Sequence, residues 1–155
     1  MSRPAVIGFG NTLRKDDGAG VYAAARIAAE ADGADVFMVQ ELTPELALSL
    51  SGRDLVLFVD ASTRATELTI RPVSASSASH HADHALLPGD IVSLCGGLFP
   101  PAPVKTLSIE VPAFDCAFGD TMTPATEAMV ELCVGLIRDL LAGTPRPDFA
   151  ALSPG

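Results

Sequence analysis

Gly8-Phe9-Gly10-Asn11-Thr12-Leu13-Arg14-Lys15-Asp16-Asp17-Gly18-Ala19-Gly20 is the stretch around which this 155-residue sequence is arranged. The apolar run Ala5-Val6-Ile7 leads into it, and Val21, Ala24, Ala25 and Ala28 follow at helical spacing. The stretch therefore reads as the loop between a first strand and a first helix, where open α/β sheets build their sites. Its glycines allow a sharp turn or a close backbone approach. Two adjacent carboxylates stand just before the helix, whose amino-terminal partial positive charge favours anions. An Asp at that place is also a good helix cap. One Asp suffices for a cap, and a pair beside Gly-x-Gly at a strand end points to a site.

Outward from the loop, strands and helices alternate. The first strand is expected over 5–8, and the first helix from near Asp17 to near Asp32-Gly33, with Gly33 as its stop. Val36-Phe37-Met38-Val39 suits a buried strand. Thr43-Pro44 reads as a cap and first helical position for a short helix carrying Leu46, Ala47 and Leu50, ending at Ser51-Gly52. Leu55 to Val59, bracketed by Asp54 and Asp60, is the clearest strand and suits the sheet centre, with Asp60 at its carboxyl end. Residues 68–73 alternate but contain Pro72, which places them at a sheet edge. Residues 74–83 form a small, polar, histidine-bearing loop. A helix is expected over 86–94, with Pro88 in its first turn and Gly96-Gly97 ending it. Thr106 to Val111 alternates as a further strand. Thr123-Pro124 opens a last, largely covered helix that Gly143 ends. The expected fold is a three-layer α/β sandwich: a twisted, mostly parallel sheet of about five strands with helices on both faces. Residues 1–142 form one domain, and 143–155 read as a frayed tail.

Composition narrows the partners. Hydrophobic residues make up 48% of the chain and the net charge is −9, which suits a globular domain and opposes nucleic-acid or anionic-membrane surfaces. The three cysteines, Cys95, Cys116 and Cys133, form neither a zinc pattern nor a disulfide framework. With no signal peptide or membrane-spanning run in view, a reduced, cytoplasmic setting is expected, with a monomer as the simplest state.

The chemistry gathers at one sheet edge. Neighbouring first and third strands would bring Asp16 or Asp17 near Asp60, and the loop Ser79-His80-His81-Ala82-Asp83-His84 could close over them. Two carboxylates and an imidazole suit zinc, nickel or a similar divalent metal, and three protein ligands leave open positions. Singly, each has a plain alternative: Asp60 as a turn cap, a histidine at the surface. Gly8, Gly10, Gly18 and Gly20 read as structural, and Asn11 as holding the loop through side chain–backbone bonds. Arg14 and Lys15 read as a solvated loop face, with a partner contact as the alternative. Gln40 and Thr43 belong to the loop at the same sheet edge.

In these residues the chain resembles the hydrogenase maturation endopeptidases, which trim the carboxyl terminus of the nickel–iron hydrogenase large subunit after nickel insertion. Gly8-Phe9-Gly10-Asn11 with Asp16-Asp17-Gly18-Ala19-Gly20 resembles their signature. In order after it, so do Gln40 to Ala47, Phe58-Val59-Asp60-Ala61, His84-Ala85-Leu86-Leu87-Pro88 and Gly119 to Pro124, across residues 5–141. Met122-Thr123 stands where Leu-Ser is usual. The resemblance implies that Asp17, Asp60 and His84 are both the metal-binding and the catalytic residues. His81 competes with His84, which is preferred because Leu86, Pro88, Ile91 and Val92 then fall at the family's spacing. It further implies that nickel arrives in the large-subunit precursor rather than as a resident cofactor, and cadmium or zinc suits the same donors in vitro. The chain has no Gly-x-Ser-x-Gly elbow and no His-Glu-x-x-His helix.

Two readings of other classes stand beside this one. A non-catalytic protein that only binds a hydrogenase subunit would keep the fold without the reaction. A response-regulator receiver shares paired Asps and an Asp ending the third strand, but needs a Lys at the end of its fifth, where Glu110-Val111-Pro112 stands. A dinucleotide-binding loop is opposed by Leu13 and by the acids where pyrophosphate would sit.

Overall fold

The computed structural model describes residues 2–30, 33–76 and 85–143. Among the described residues, five strands and four helices follow in the order β1 (Ala5–Phe9), α1 (Ala19–Glu30), β2 (Asp35–Val39), α2 (Leu46–Leu50), β3 (Leu55–Ser62), β4 (Thr69–Pro72), α3 (Pro88–Leu98), β5 (Lys105–Pro112) and α4 (Pro124–Ala142). A 3-10 turn, Lys15–Gly18, precedes α1. The sheet order is β2-β1-β3-β5-β4. Its first four strands are parallel, and β4 runs antiparallel to β5 at the edge. This is the expected mostly parallel α/β sheet, with β3 at its centre.

The pleat sorts the core into two layers. Val6, Leu57, Val59, Leu107 and Ile109 pack with Ala23, Ala24 and Ile27 of α1 and Val130, Cys133, Val134 and Ile137 of α4. On the opposite face Ala5, Ile7, Val56 and Phe58 pack with Leu46, Ala47 and Leu50 of α2 and Ile91 and Cys95 of α3. Val56 to Val59 are wholly buried, as an apolar central strand requires.

α1 lies unusually close to the sheet, and glycine is the reason. A Cβ on Gly8 would stand 2.3 Å from the carbonyl oxygen of Gly20, and one on Gly20 would stand 2.2 Å from that of Val59. The last helix starts and stops where the sequence puts it. The Thr123 hydroxyl accepts from Thr126 N at 3.3 Å, and Gly143 closes the helix with φ at 73°.

Three expectations are corrected. β2 is a half-buried edge strand rather than a buried one, because β1 is its single neighbour; Met38 faces solvent and Phe37 lies under the Arg53 guanidinium. The short helix does not begin at a Thr43 cap. The chain enters through a 3-10-type turn in which Leu46 N donates to Thr43 O and Ala47 N to Pro44 O, and the regular helix starts at Leu46. α3 runs through Gly96 and Gly97 to Leu98 instead of stopping at them. The burial of Ile91, Val92 and Cys95 outweighs a cost of about 1 kcal/mol per helical glycine. His80, His81 and His84 lie outside the described residues, as does the tail beyond Gly143.

Candidate active site

β1 and β3 are neighbours, yet the chain leaves β1 toward β2 on one side and reaches β3 on the other. Such a switch opens a crevice at the carboxyl ends of the strands. The loop from Gly10 to Gly18 and Asp60, two residues before the end of β3, meet there. Gly10 N approaches the carbonyls of Val39 and Gln40, both at 3.2 Å, so the β2 exit joins the same edge.

The two adjacent aspartates have opposite roles. Asp16 is wholly buried and is a strut. Its Oδ2 accepts from Phe114 N at 2.8 Å, Asp115 N at 3.0 Å and the Thr123 hydroxyl at 2.8 Å, while Oδ1 accepts from Thr123 N at 2.7 Å. Burial alone would push its carboxyl up, but the backbone N–H groups of Phe114, Thr123 and Asp115 bring it down to about 2. Asp17 is half-buried and turns toward the crevice. Its Oδ2 accepts from Asn11 N at 2.8 Å, and among the described residues nothing donates to Oδ1. The Asn11 side chain in turn holds Leu13 N at 2.9 Å, as a loop-fixing residue should.

Asp60 completes the acidic pair. Burial pushes its carboxyl up to about 7; the Ala61 N–H opposes this, and the charges of Asp17 and Glu110 add to it. Asp17 and Asp60 therefore share one electrostatic environment. Glu110 faces Asp60 across the β3–β5 ladder and was not singled out from sequence. The signal was present: Thr106, Ser108 and Glu110 alternate with buried Leu107, Ile109 and Val111.

Arg14 and Lys15 belong to the scaffold. Lys15, at φ 44°, pairs with Asp115 at 2.9 Å, and Arg14 donates to Cys116 O at 3.1 Å with its guanidinium over the Phe118 ring. Lys15 N to Gly119 O and Gly119 N to Leu13 O, each 2.9 Å, lace the loop to the segment after β5. Gln40 is exposed and Thr43 half-buried at the β2 exit.

Among the described residues no three His, Cys, Asp or Glu side chains cluster as a metal site. Asp17 and Asp60 supply two carboxylates, oxygen donors that suit a divalent ion. A third protein donor would have to come from elsewhere, and His84 lies outside the described residues. Lys105 opens β5 opposite Leu55, the length of the strand from Asp60, and β4 is antiparallel. Neither feature fits a receiver domain, whose Lys stands beside the acidic site.

Comparison with solved structures settles the fold. The chain is similar to the hydrogenase maturating endopeptidase HybD from E. coli, with a TM-score of 0.74 and 20% identity over 95% of this chain and 99% of that one. The fold is that of the hydrogenase maturation endopeptidases. The [NiFe] hydrogenase maturation protease HybD from Thermococcus kodakarensis has a TM-score of 0.70 at 21% identity, over 90% of this chain and 99% of its own. A hydrogenase 2 maturation peptidase from a Thaumarchaeota archaeon has a TM-score of 0.66 at 17% identity, over 90% and 98%. No family model matches the sequence, and no curated protein does. No helix among the described residues is long and apolar enough to cross a membrane.

Proposed function

We propose that this chain is an endopeptidase that removes the C-terminal peptide of a nickel–iron hydrogenase large-subunit precursor after nickel insertion. The observation that carries the reading is the meeting of Asp17 and Asp60 at the β1–β3 switch point, on a loop laced to the rest of the fold. The similar structures bear the names of hydrogenase maturation proteases, and their fold spans nearly the whole chain.

In this reading the precursor brings its own nickel. Asp17 and Asp60, with His84, offer ligands to that cargo and hold the precursor in register. The precursor's nickel polarises the scissile region, and Asp17 or Asp60 positions the attacking water. The open Oδ1 of Asp17 and the crevice position of Asp60 suit those tasks. Asp16 takes no part in them, because all its capacity is spent on backbone N–H groups and Thr123. The proposed setting is the cytoplasm, with the protease acting as a monomer on a folded precursor.

Intact-mass measurement of nickel-loaded and nickel-free precursor, each incubated with this protein, tests the proposal. Loss of a carboxyl-terminal peptide from the loaded form alone is expected. Equal cleavage of both forms would remove nickel from recognition, and cleavage of neither would leave a binding-only protein.

A further inference from the structure

Beyond the acidic pair, the same sheet face carries a second polar feature. Asp60, Glu110 and Thr69 lie in one row across β3, β5 and β4, and Arg71 follows Thr69 by two residues, so all four share a face. Ser62, Arg64, Ala65, Thr69, Arg71 and Glu110 line a depression of about 360 Å³ at the end of that row.

Most other basic side chains of this acidic chain are tied down, Arg14 by Cys116 O and the Phe118 ring rather than by a carboxylate. Arg3, Lys15, Arg26, Arg53 and Arg138 are each held by a carboxylate partner. The Arg64 guanidinium meets no carboxylate among the described residues. Arg71 is held only loosely, with Nε 3.5 Å from Glu110 Oε1. Ser62 Oγ accepts from Arg64 N at 3.2 Å, which leaves the hydroxyl hydrogen to be donated. The depression thus gathers two guanidinium groups and a hydroxyl donor against one carboxylate, in a chain of net charge −9.

We propose that Arg64, Arg71 and the Ser62 hydroxyl form an anion subsite that takes a carboxylate side chain of the peptide being cleaved. The proposal rests on the endopeptidase reading above and adds a sequence preference to it. Ser62 is two residues along β3 from Asp60 and Arg71 two strand spacings across the sheet and two residues along, so the subsite lies roughly 7–12 Å from Asp60. An extended peptide advances about 3.4 Å per residue. The recognised Asp or Glu therefore stands about three residues from the scissile bond. Glu110 sits between the two regions and gives the groove a polarity: acidic at Asp60, basic at Arg64 and Arg71. An acidic substrate residue is repelled from the first and held at the second, which fixes the direction in which the peptide lies.

Two measurements on the full chain test this. The first follows the Arg Nε–Hε resonances by NMR while acetyl-glutamate N-methylamide is added, with acetyl-glutamine N-methylamide as the neutral control. Saturable shifts of Arg64 and Arg71 with the glutamate probe alone are expected; equal or absent shifts with the two probes overturn the subsite. The second compares processing of nickel-loaded precursor by wild type and by the Arg64→Gln, Arg71→Gln double variant. KM is expected to rise about tenfold with kcat within twofold, because two charge-assisted contacts are lost far from the bond. Changing the precursor's acidic residues near the cut to amides should reproduce that rise and add nothing to the double variant. Unchanged KM overturns the proposal. Asp60→Asn separates the two readings: continued processing by that variant defeats the active-site reading, while the NMR titration still decides the subsite.

Discussion

Asp16 and Asp17 are chemically identical neighbours whose substitutions should part company. Asp16→Ala strands three backbone N–H groups and is expected to cost about 3–5 kcal/mol in urea unfolding. Asp17→Ala removes one accepted bond, costs about 1 kcal/mol, and is expected to abolish processing of nickel-loaded precursor. The pH dependences also oppose each other. Asp16 titrates at about 2 in the fold against 3.8 unfolded, so its contribution of about 2 kcal/mol holds above pH 4 and is lost as pH falls toward 2. Asp60 is raised from 3.8 to about 7, so the native state holds the extra proton between those values and stability declines as pH rises across them, by up to about 4 kcal/mol. Asp60→Asn, which carries no charge, should therefore be more stable than wild type at pH 8 and lose that advantage by pH 4. Denaturant titrations at the two pH values read the difference directly. Neighbouring identical letters hid this division in the sequence, because what separates Asp16 from Asp17 is a segment about a hundred residues away.

Among the elements, glycine positions divide by what surrounds them. Gly20→Ala would force a methyl group against Val59 O and is expected to destabilise the fold by more than about 3 kcal/mol, read as a loss of thermal midpoint. Gly97→Ala lies in α3 with nothing within 4 Å of the added carbon, and should stabilise by about 0.5–1 kcal/mol. In sequence Gly96-Gly97 reads as punctuation, because glycine is a poor helix former. What carries α3 through them is tertiary: Cys95 lies wholly buried, with its thiol donating to Ala47 O at 3.2 Å. Similarly, Val36 to Val39 reads as interior by composition, and only the strand order reveals it as an edge. By contrast, Thr123, Pro124 and Gly143 mark the last helix by local stereochemistry, so they were legible without any tertiary context.

For the molecule as a whole, strand–helix alternation and the buried run through Val59 were enough to foresee a mostly parallel sheet centred on β3. The sheet's exact order was not foreseeable, since pairing depends on which faces meet. That Asp16 or Asp17 would approach Asp60 followed from that topology, whereas the placing of Arg71 beside Glu110 emerges only from register across β5 and β4, and Arg64 only from the loop after β3. The thiols report the same packing. Burial pushes Cys133 up to about 12 and also raises Cys95, and only Cys116 is not buried. In native protein one thiol should react with dithiobis(nitrobenzoate), slowly, forming a mixed disulfide and releasing one equivalent of nitrothiobenzoate, and all three should react after unfolding.

The lacing of the Gly10–Gly18 loop to residues 113–123 bears on how the protein is made. A ribosome delivers the first carboxylates early, but the partners that fix their loop, Phe114, Asp115, Gly119 and Thr123, come in the last third of the chain. A nascent or prematurely terminated chain has the acids and no fixed site. On the endopeptidase reading proposed above, hydrolytic competence would arrive only near the end of synthesis, and an unfinished copy would lack it.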